Sequence, residues 1–312
     1  LEKRWISKNK ENVIDLNIDT NLPIFTNDGD GLFYDYVDDL EQDTKLSFNN
    51  VNADTSDYHF TTTNTLNKNS LLFYTDHYAV ISKNSGMISS ITELQGKTVG
   101  VLSDDASYVT EYFTNYSGIT FKTYDDYTTM SQNLGKNIDY MITPINKYLD
   151  QVIDNDYIVN YHLDNLNNYY VLEMDSKNTQ LNSIMKKFLN QWATTKESKY
   201  NEYFVDLYKQ EKGISEVDIE SITKSDYIVG YVKNLPMEGI VQKQFTGLAS
   251  GYLNDFADLT GATYKYVKYS SNKKLIKAMN SGKVDIVFNV NNISNSNYSN
   301  TMNFIPGDYV VL

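Results

Sequence analysis

Few side chains in this sequence stand where they could do covalent chemistry. The 312 residues contain no Cys and three His, at 59, 77 and 162. Thiolate ligands, cysteine nucleophiles and disulfides are therefore excluded. The histidines have no chelating spacing, so no metal site is expected. No G-x-S-x-G, P-loop or G-x-G-x-x-G segment occurs, and neither a catalytic residue nor a cofactor is expected. What remains is recognition chemistry. Asp104 and Asp105 put two carboxylates at the start of a predicted helix, where such a side chain can cap free backbone amides. Arg4 is the single arginine among 27 basic residues, so bidentate clamping of a carboxylate or phosphate is nearly absent. Forty acidic residues give a net charge of −13, which argues against nucleic acid as a partner. The 27 Tyr, with abundant Asn, fit either AT-rich codon usage or a surface for polar ligands.

The elements that must position these residues alternate between strand and helix, the pattern of an α/β fold with crossover helices. Strands are predicted at 13–18, 45–51, 71–82, 98–102, 121–124, 139–143 and 169–174. Helices are predicted at 32–43, 105–116, 127–134, about 178–190 and about 195–209. Ser90-Ile91-Thr92-Glu93 is a capping-box sequence that opens a short helix. A second set follows: a strand from 227 onward, strands at 263–269 and 284–290, and helices at 251–259 and 272–281. The two sets share an Asn-Leu-Pro segment, Asn21-Leu22-Pro23 and Asn234-Leu235-Pro236, before a Gly-containing loop and a helix. This predicts two copies of one α/β domain. Residues 1–12 form a lead helix or linker, 13–209 the first copy and 210–226 a polar linker. Residues 227–312 form a second copy that is expected to stop after its first lobe. No run of 18 apolar residues occurs, so no membrane-spanning helix is expected, and the opening residues lack a signal-peptide pattern.

The order of these motifs resembles the family 3 extracellular solute-binding domains, the two-lobed Venus flytraps. Ile91-Thr92-Glu93-Leu94 followed by Gly96-Lys97-Thr98-Val99-Gly100-Val101 resembles the segment that leads into the second lobe. Asn280-Ser281-Gly282-Lys283-Val284-Asp285-Ile286 and Gly135-Lys136-Asn137-Ile138-Asp139 resemble its helix-to-strand turn. Residues 178–189 and 192–204 resemble its closing helices. The resemblance implies a periplasmic-binding-protein-like type II fold. Lobe 1 would cover about 13–77 and lobe 2 about 83–168 of the first copy.

The resemblance also implies a ligand site between the lobes. Thr63, Thr65 and Lys68 fall on the family's T-x-T-x-x-R segment, with Lys68 in place of the arginine. Ser103, Asp104 and Asp105 replace its anion-binding Gly-Ser/Thr turn. Thr143, or Pro144, stands where an ammonium-binding Asp is usual, and Asp139 reads as a turn residue. Phe25 is the expected stacking aromatic, with Leu22, Leu235 and Met237 as further candidates. In the second copy Asn291–Asn300, with Tyr298, and Phe304–Tyr309 occupy the corresponding places without a cation. These departures point to a cationic or neutral, amino-acid-like polar ligand.

Tandem copies resemble the sensor ectodomains of bacterial membrane receptors. That reading implies a small-ligand sensor on the extracellular face of the cell membrane, attached through a flanking segment, and a homodimer is one expected arrangement. The alternatives are the solute-binding component of an ABC transporter, or a degenerate spacer that binds no ligand. An enzyme on this fold is not expected, since Asp104, Asp105 and Lys68 are the only assembly available for acid–base work.

Overall fold

Apolar strands buried on both faces and helices with one apolar stripe dictate a layered α/β structure, and the computed structural model has it. It describes residues 2–288 except 28, 52–55, 84–87, 89, 224 and 225. These residues fall into two units that part between Lys212 and Gly213.

The first unit begins with α1 (Glu2–Asn9), whose Trp5 and Ile6 pack on the main core and whose Glu2 pairs with Lys187 at 2.6 Å. Then follow β1 (Val13–Ile18), α2 (Leu32–Thr44), β2 (Ser47–Asn50), β3 (His59–Thr63) and β4 (Ser70–Ser82). Next come β5 (Thr98–Leu102), α3 (Ala106–Tyr112), β6 (Thr120–Tyr124), α4 (Tyr127–Asn133), β7 (Tyr140–Pro144) and α5 (Leu149–Asp154). The unit closes with β8 (Ile158–Glu173), α6 (Thr179–Gln191) and α7 (Ala193–Lys212). One curled sheet runs in the order β2-β1-β3-β8-β4-β7-β5-β6.

Its two halves are the two lobes. In lobe 1, β1 is parallel to β2 and β3; in lobe 2, β5 is parallel to β6 and β7. The long strands β4 and β8 run antiparallel through both, from the Ser70–Glu173 pair to the Ser82–Ile158 pair. Their register shifts at Leu72/Tyr74, His77/Ala79 and Val80/Ile81. Such irregularities bend and twist a ribbon, and here they lie where it passes from one lobe to the other.

Each lobe has its own apolar core. Lobe 1 packs Phe33 on Phe60 (3.7 Å between centroids), with Phe73 edge-on to both, Tyr36 stacked on Phe33 and Trp192 against Tyr36 and Phe73. The closing helices α6 and α7 return to this lobe: the Tyr36 hydroxyl donates to the Met185 carbonyl and the Trp192 indole to Asp39. Lobe 2 buries both sheet faces, because adjacent residues point to opposite sides. Val80 and Ile142 belong to one cluster, Ile81 and Met141 to the other.

The second unit has α8 (Glu216–Thr223), β9 (Asp226–Tyr231), the hairpin β10 (Gly239–Val241) and β11 (Gln244–Thr246), then α9 (Leu248–Thr260), β12 (Thr263–Lys268), α10 (Asn272–Asn280) and β13 (Ile286–Val287). Its sheet order, β12-β9-β13, all parallel, repeats β2-β1-β3.

Two local devices recur in both units. Gly31 (φ 128°) and Gly247 (φ 111°) precede α2 and α9, and a Cβ there would stand 2.6 Å from the Phe25 carbonyl oxygen and 2.4 Å from that of Met237. The same carbonyls accept from Phe33 and Ala249. In the Gly-Lys-x-x-Asp turn and its Gly-Lys-Val-Asp counterpart, the aspartate bonds reciprocally to the start of a strand. Asp139 accepts from the Thr98 N–H and donates its own to the Thr98 carbonyl; Asp285 does the same with Ile228.

Three expectations change. The strand expected at 169–174 is the last third of β8, which begins at Ile158, and β3 was not expected at all. The polar stretch 210–226 is mostly helical, as the end of α7 and α8, because Ser215 caps α8 by exchanging hydrogen bonds with Asp218. The segments 291–300 and 304–309 lie outside the described residues.

Candidate functional site

In open α/β sheets ligands gather beyond the carboxyl ends of parallel strands, and the first unit has a cavity of about 370 Å³ there. Asp19, Thr20, Asn21 and Leu22, which follow β1, line it together with Thr62 of β3. From lobe 2 come Lys147 and Tyr148, in the turn after β7. The volume suits one small molecule.

The lobe 1 wall is braced by hydrogen bonds. Asp19 accepts from His59 Nε2 at 2.7 Å and from Thr61 Oγ1 at 2.5 Å. The Thr26 hydroxyl donates to the Asp19 carbonyl at 2.6 Å and accepts from the Leu22 N–H. The Asp19 carboxylate is about half exposed, so oxygen lone pairs remain for a ligand.

The lobe 2 wall depends on a buried carboxylate in the hinge ribbon. Asp76 is 1% exposed and accepts from the backbone N–H of His77 and of Asn146 and from the Asn146 amide, at 2.8–3.0 Å. Burial pushes its carboxyl up to about 6. The Tyr200 hydroxyl of α7 donates to Asn146 Oδ1 at 2.6 Å and its ring stacks on Tyr74. This network holds the turn that presents Lys147 and Tyr148. Tyr148 stacks on Tyr127 at 4.2 Å. Its hydroxyl is pushed up to about 12 by burial and then by the neighbouring charges of Asp105 and Asp104. The Lys147 charge in turn acts on Asp105, whose carboxyl burial raises. Among the described residues Lys147 has no carboxylate partner within ion-pair distance.

The residues expected from sequence are placed as follows. Asp105 occupies the cap position of α3, yet its side chain makes no cap; it accepts from the Tyr78 hydroxyl at 2.9 Å. Asp104 is exposed, and both border Tyr148 at the lobe 2 wall. Ser103 turns away, donating to the Tyr124 carbonyl and to Asp125. Thr63, the last residue of β3, bonds through its hydroxyl to the Thr65 backbone in the loop that follows, and Lys68 is exposed further along that loop; none of the three lines the cavity. Thr143 is fully buried, with a hydroxyl that finds no partner among the described residues. Phe25 is fully buried too, stacked on Tyr170 at 4.0 Å, so it belongs to the floor of lobe 1 and not to the cavity wall. Leu22 does line the cavity.

The lining residues Asp19, Thr20, Asn21, Thr62, Lys147 and Tyr148 are not among the site residues expected from sequence. A carboxylate directly beyond a predicted strand, as Asp19 is, was the available signal. Lys147 had none, because its position depends on Asp76, far away in sequence.

No protein-family model and no curated protein matches this sequence. Solved structures do match. The periplasmic domain of Bordetella pertussis BvgS superposes with a TM-score of 0.53 at 15% identity, over 92% of this chain and 62% of that one. A double mutant of the BvgS VFT2 domain gives 0.50 at 15% identity, over 65% and 97%. An amino acid ABC transporter substrate-binding protein from Streptococcus pneumoniae, bound to L-arginine, gives 0.46 at 12% identity, over 67% and 98%. The fold is that of the two-lobed, periplasmic-binding-protein-like Venus flytrap. This chain spans less than two thirds of the BvgS periplasmic domain that it matches.

Proposed function

We propose that the first unit captures a small zwitterionic or cationic, amino-acid-like molecule between its lobes, as the extracellular sensor part of a transmembrane signalling protein. The observation that carries this reading is the charge arrangement of the cavity: a half-exposed carboxylate, Asp19, on lobe 1 and, on lobe 2, the Lys147 ammonium, which has no carboxylate partner among the described residues. A ligand ammonium would meet Asp19, with Asp104 and Asp105 adding negative potential, and a ligand carboxylate would meet Lys147. Contacts to both lobes favour the closed arrangement over the open one, and the β4–β8 ribbon would carry the change. Lys68, Thr63 and Thr65 would at most line the approach.

The receptor role is favoured over transport by the breadth of the match to the BvgS periplasmic domain, which takes in most of both units. Under this reading the second unit is a further flytrap domain's first lobe. A thermal-shift screen with amino acids, polyamines, sugars and nucleosides tests the binding claim. A ligand at a hundred times its Kd stabilises by roughly 2.7 kcal/mol. A shift from amino acids or polyamines is the expected result, and none from any compound would leave the spacer role.

A further inference from the structure

The sequence separates the three histidines, and the fold brings two of them together. His77 lies on β4 and His162 on β8, within the ribbon that links the lobes. Their rings are 6.3 Å apart between centroids and inclined by 29°. His162 pairs with Ala79, two residues beyond His77 on β4, so strand alternation sets both imidazoles on one side of the ribbon. Both residues are exposed. Among the described residues neither ring has a hydrogen-bond partner.

We propose that His77 and His162 together bind one divalent late transition ion, of which Zn²⁺ is the reference case, and that the ion ties the two hinge strands to each other. Imidazole nitrogen is a preferred donor for such ions. With Zn–N distances of about 2.0–2.1 Å, two imidazoles on one tetrahedral ion have centroids about 5 Å apart. Side-chain rotation must bring the centroids about 1 Å closer and turn one nitrogen of each ring toward a common point. Exposure leaves the remaining coordination positions to water. Asp164, two residues beyond His162 and exposed like it, adds a negative charge that acts on His162.

The site lies on the strands that must flex when the lobes move. A bound ion would restrain that motion independently of anything in the cavity, so the proposal does not depend on the ligand reading above.

Titration of the tag-free 312-residue chain with zinc chloride at neutral pH is the test. One ion per chain is expected, with calcium failing to compete. His77→Ala and His162→Ala should each weaken binding by at least about tenfold, as loss of one of two anchoring ligands requires. Since the chain has three histidines, NMR of the imidazole protons gives a second readout. Zinc should move the signals of His77 and His162 and leave that of His59. Zinc uptake that survives the double alanine variant, a response at His59 alone, or no uptake by the wild type would each overturn the proposal.

Discussion

Replacing Gly31 by alanine tests how lobe 1 builds its cavity wall. Gly31 has φ 128° and ψ 174°, a region open to glycine and costing other residues about 1–3 kcal/mol. The new Cβ would stand 2.6 Å from the Phe25 carbonyl oxygen, 2.7 Å from its carbon and 2.9 Å from the Ile24 oxygen. These atoms are backbone and cannot rotate aside. The Ile24 and Phe25 carbonyls accept the Leu32 and Phe33 amides at 2.8 and 3.0 Å. Relief of the overlap must stretch those bonds, at about 1 kcal/mol each. The sum is about 3–5 kcal/mol, a large part of the 5–15 kcal/mol that stabilises a typical domain. Urea unfolding followed by tryptophan emission suits the measurement, since both tryptophans, Trp5 and Trp192, pack in the lobe 1 core. A loss below about 1 kcal/mol would refute the argument that this glycine is required by backbone crowding.

Three further outcomes follow from named contacts. Asp139→Ala removes the acceptor of the Thr98 N–H at the start of β5 and should cost about 1–3 kcal/mol in urea unfolding; no change would mean that water replaces the bond. Gly100→Ala sets a Cβ 2.5 Å from Ile138 Cδ1 and close to Met130, so overpacking should cost about 1–3 kcal/mol in the same assay. Asp76 makes stability depend on pH: its carboxyl stands at about 6 in the fold against an ordinary 3.8, so the folded chain keeps a proton that the unfolded chain releases. Its contribution therefore falls as pH rises from about 4 to 6, by about 3 kcal/mol, and comparison with Asp76→Asn isolates that slope. A wild type and variant with parallel pH profiles would contradict it.

Most of the fold was legible because it is written in local chemistry. The Gly-Lys turns at 135–139 and 282–285, the Ser90 capping box and the alternating strands each fix their own geometry within a few residues. The first half of β8 was not legible. Residues 158–168 alternate poorly, since that part of the ribbon is half exposed, and β4 holds it through long-range pairing. The site was legible only in part. Matching short motifs pointed to Thr63, Thr65 and Lys68, in a loop whose side chains satisfy one another or face water. The cavity instead forms where the end of β1 meets a turn fixed by Asp76, and no local pattern encodes that meeting. The joining of His77 with His162 is of the same kind.

The central claim is that a ligand bridges Asp19 of lobe 1 and Lys147 of lobe 2. Calorimetric titration of the best-binding amino acid or polyamine into the wild type, Asp19→Asn and Lys147→Met tests it most directly. A charge-assisted contact contributes about 1.5–3 kcal/mol, so each substitution should weaken an amino acid by roughly 10- to 150-fold. A polyamine, having no carboxylate, should lose affinity with Asp19→Asn alone. Affinity unchanged in both variants would contradict the account.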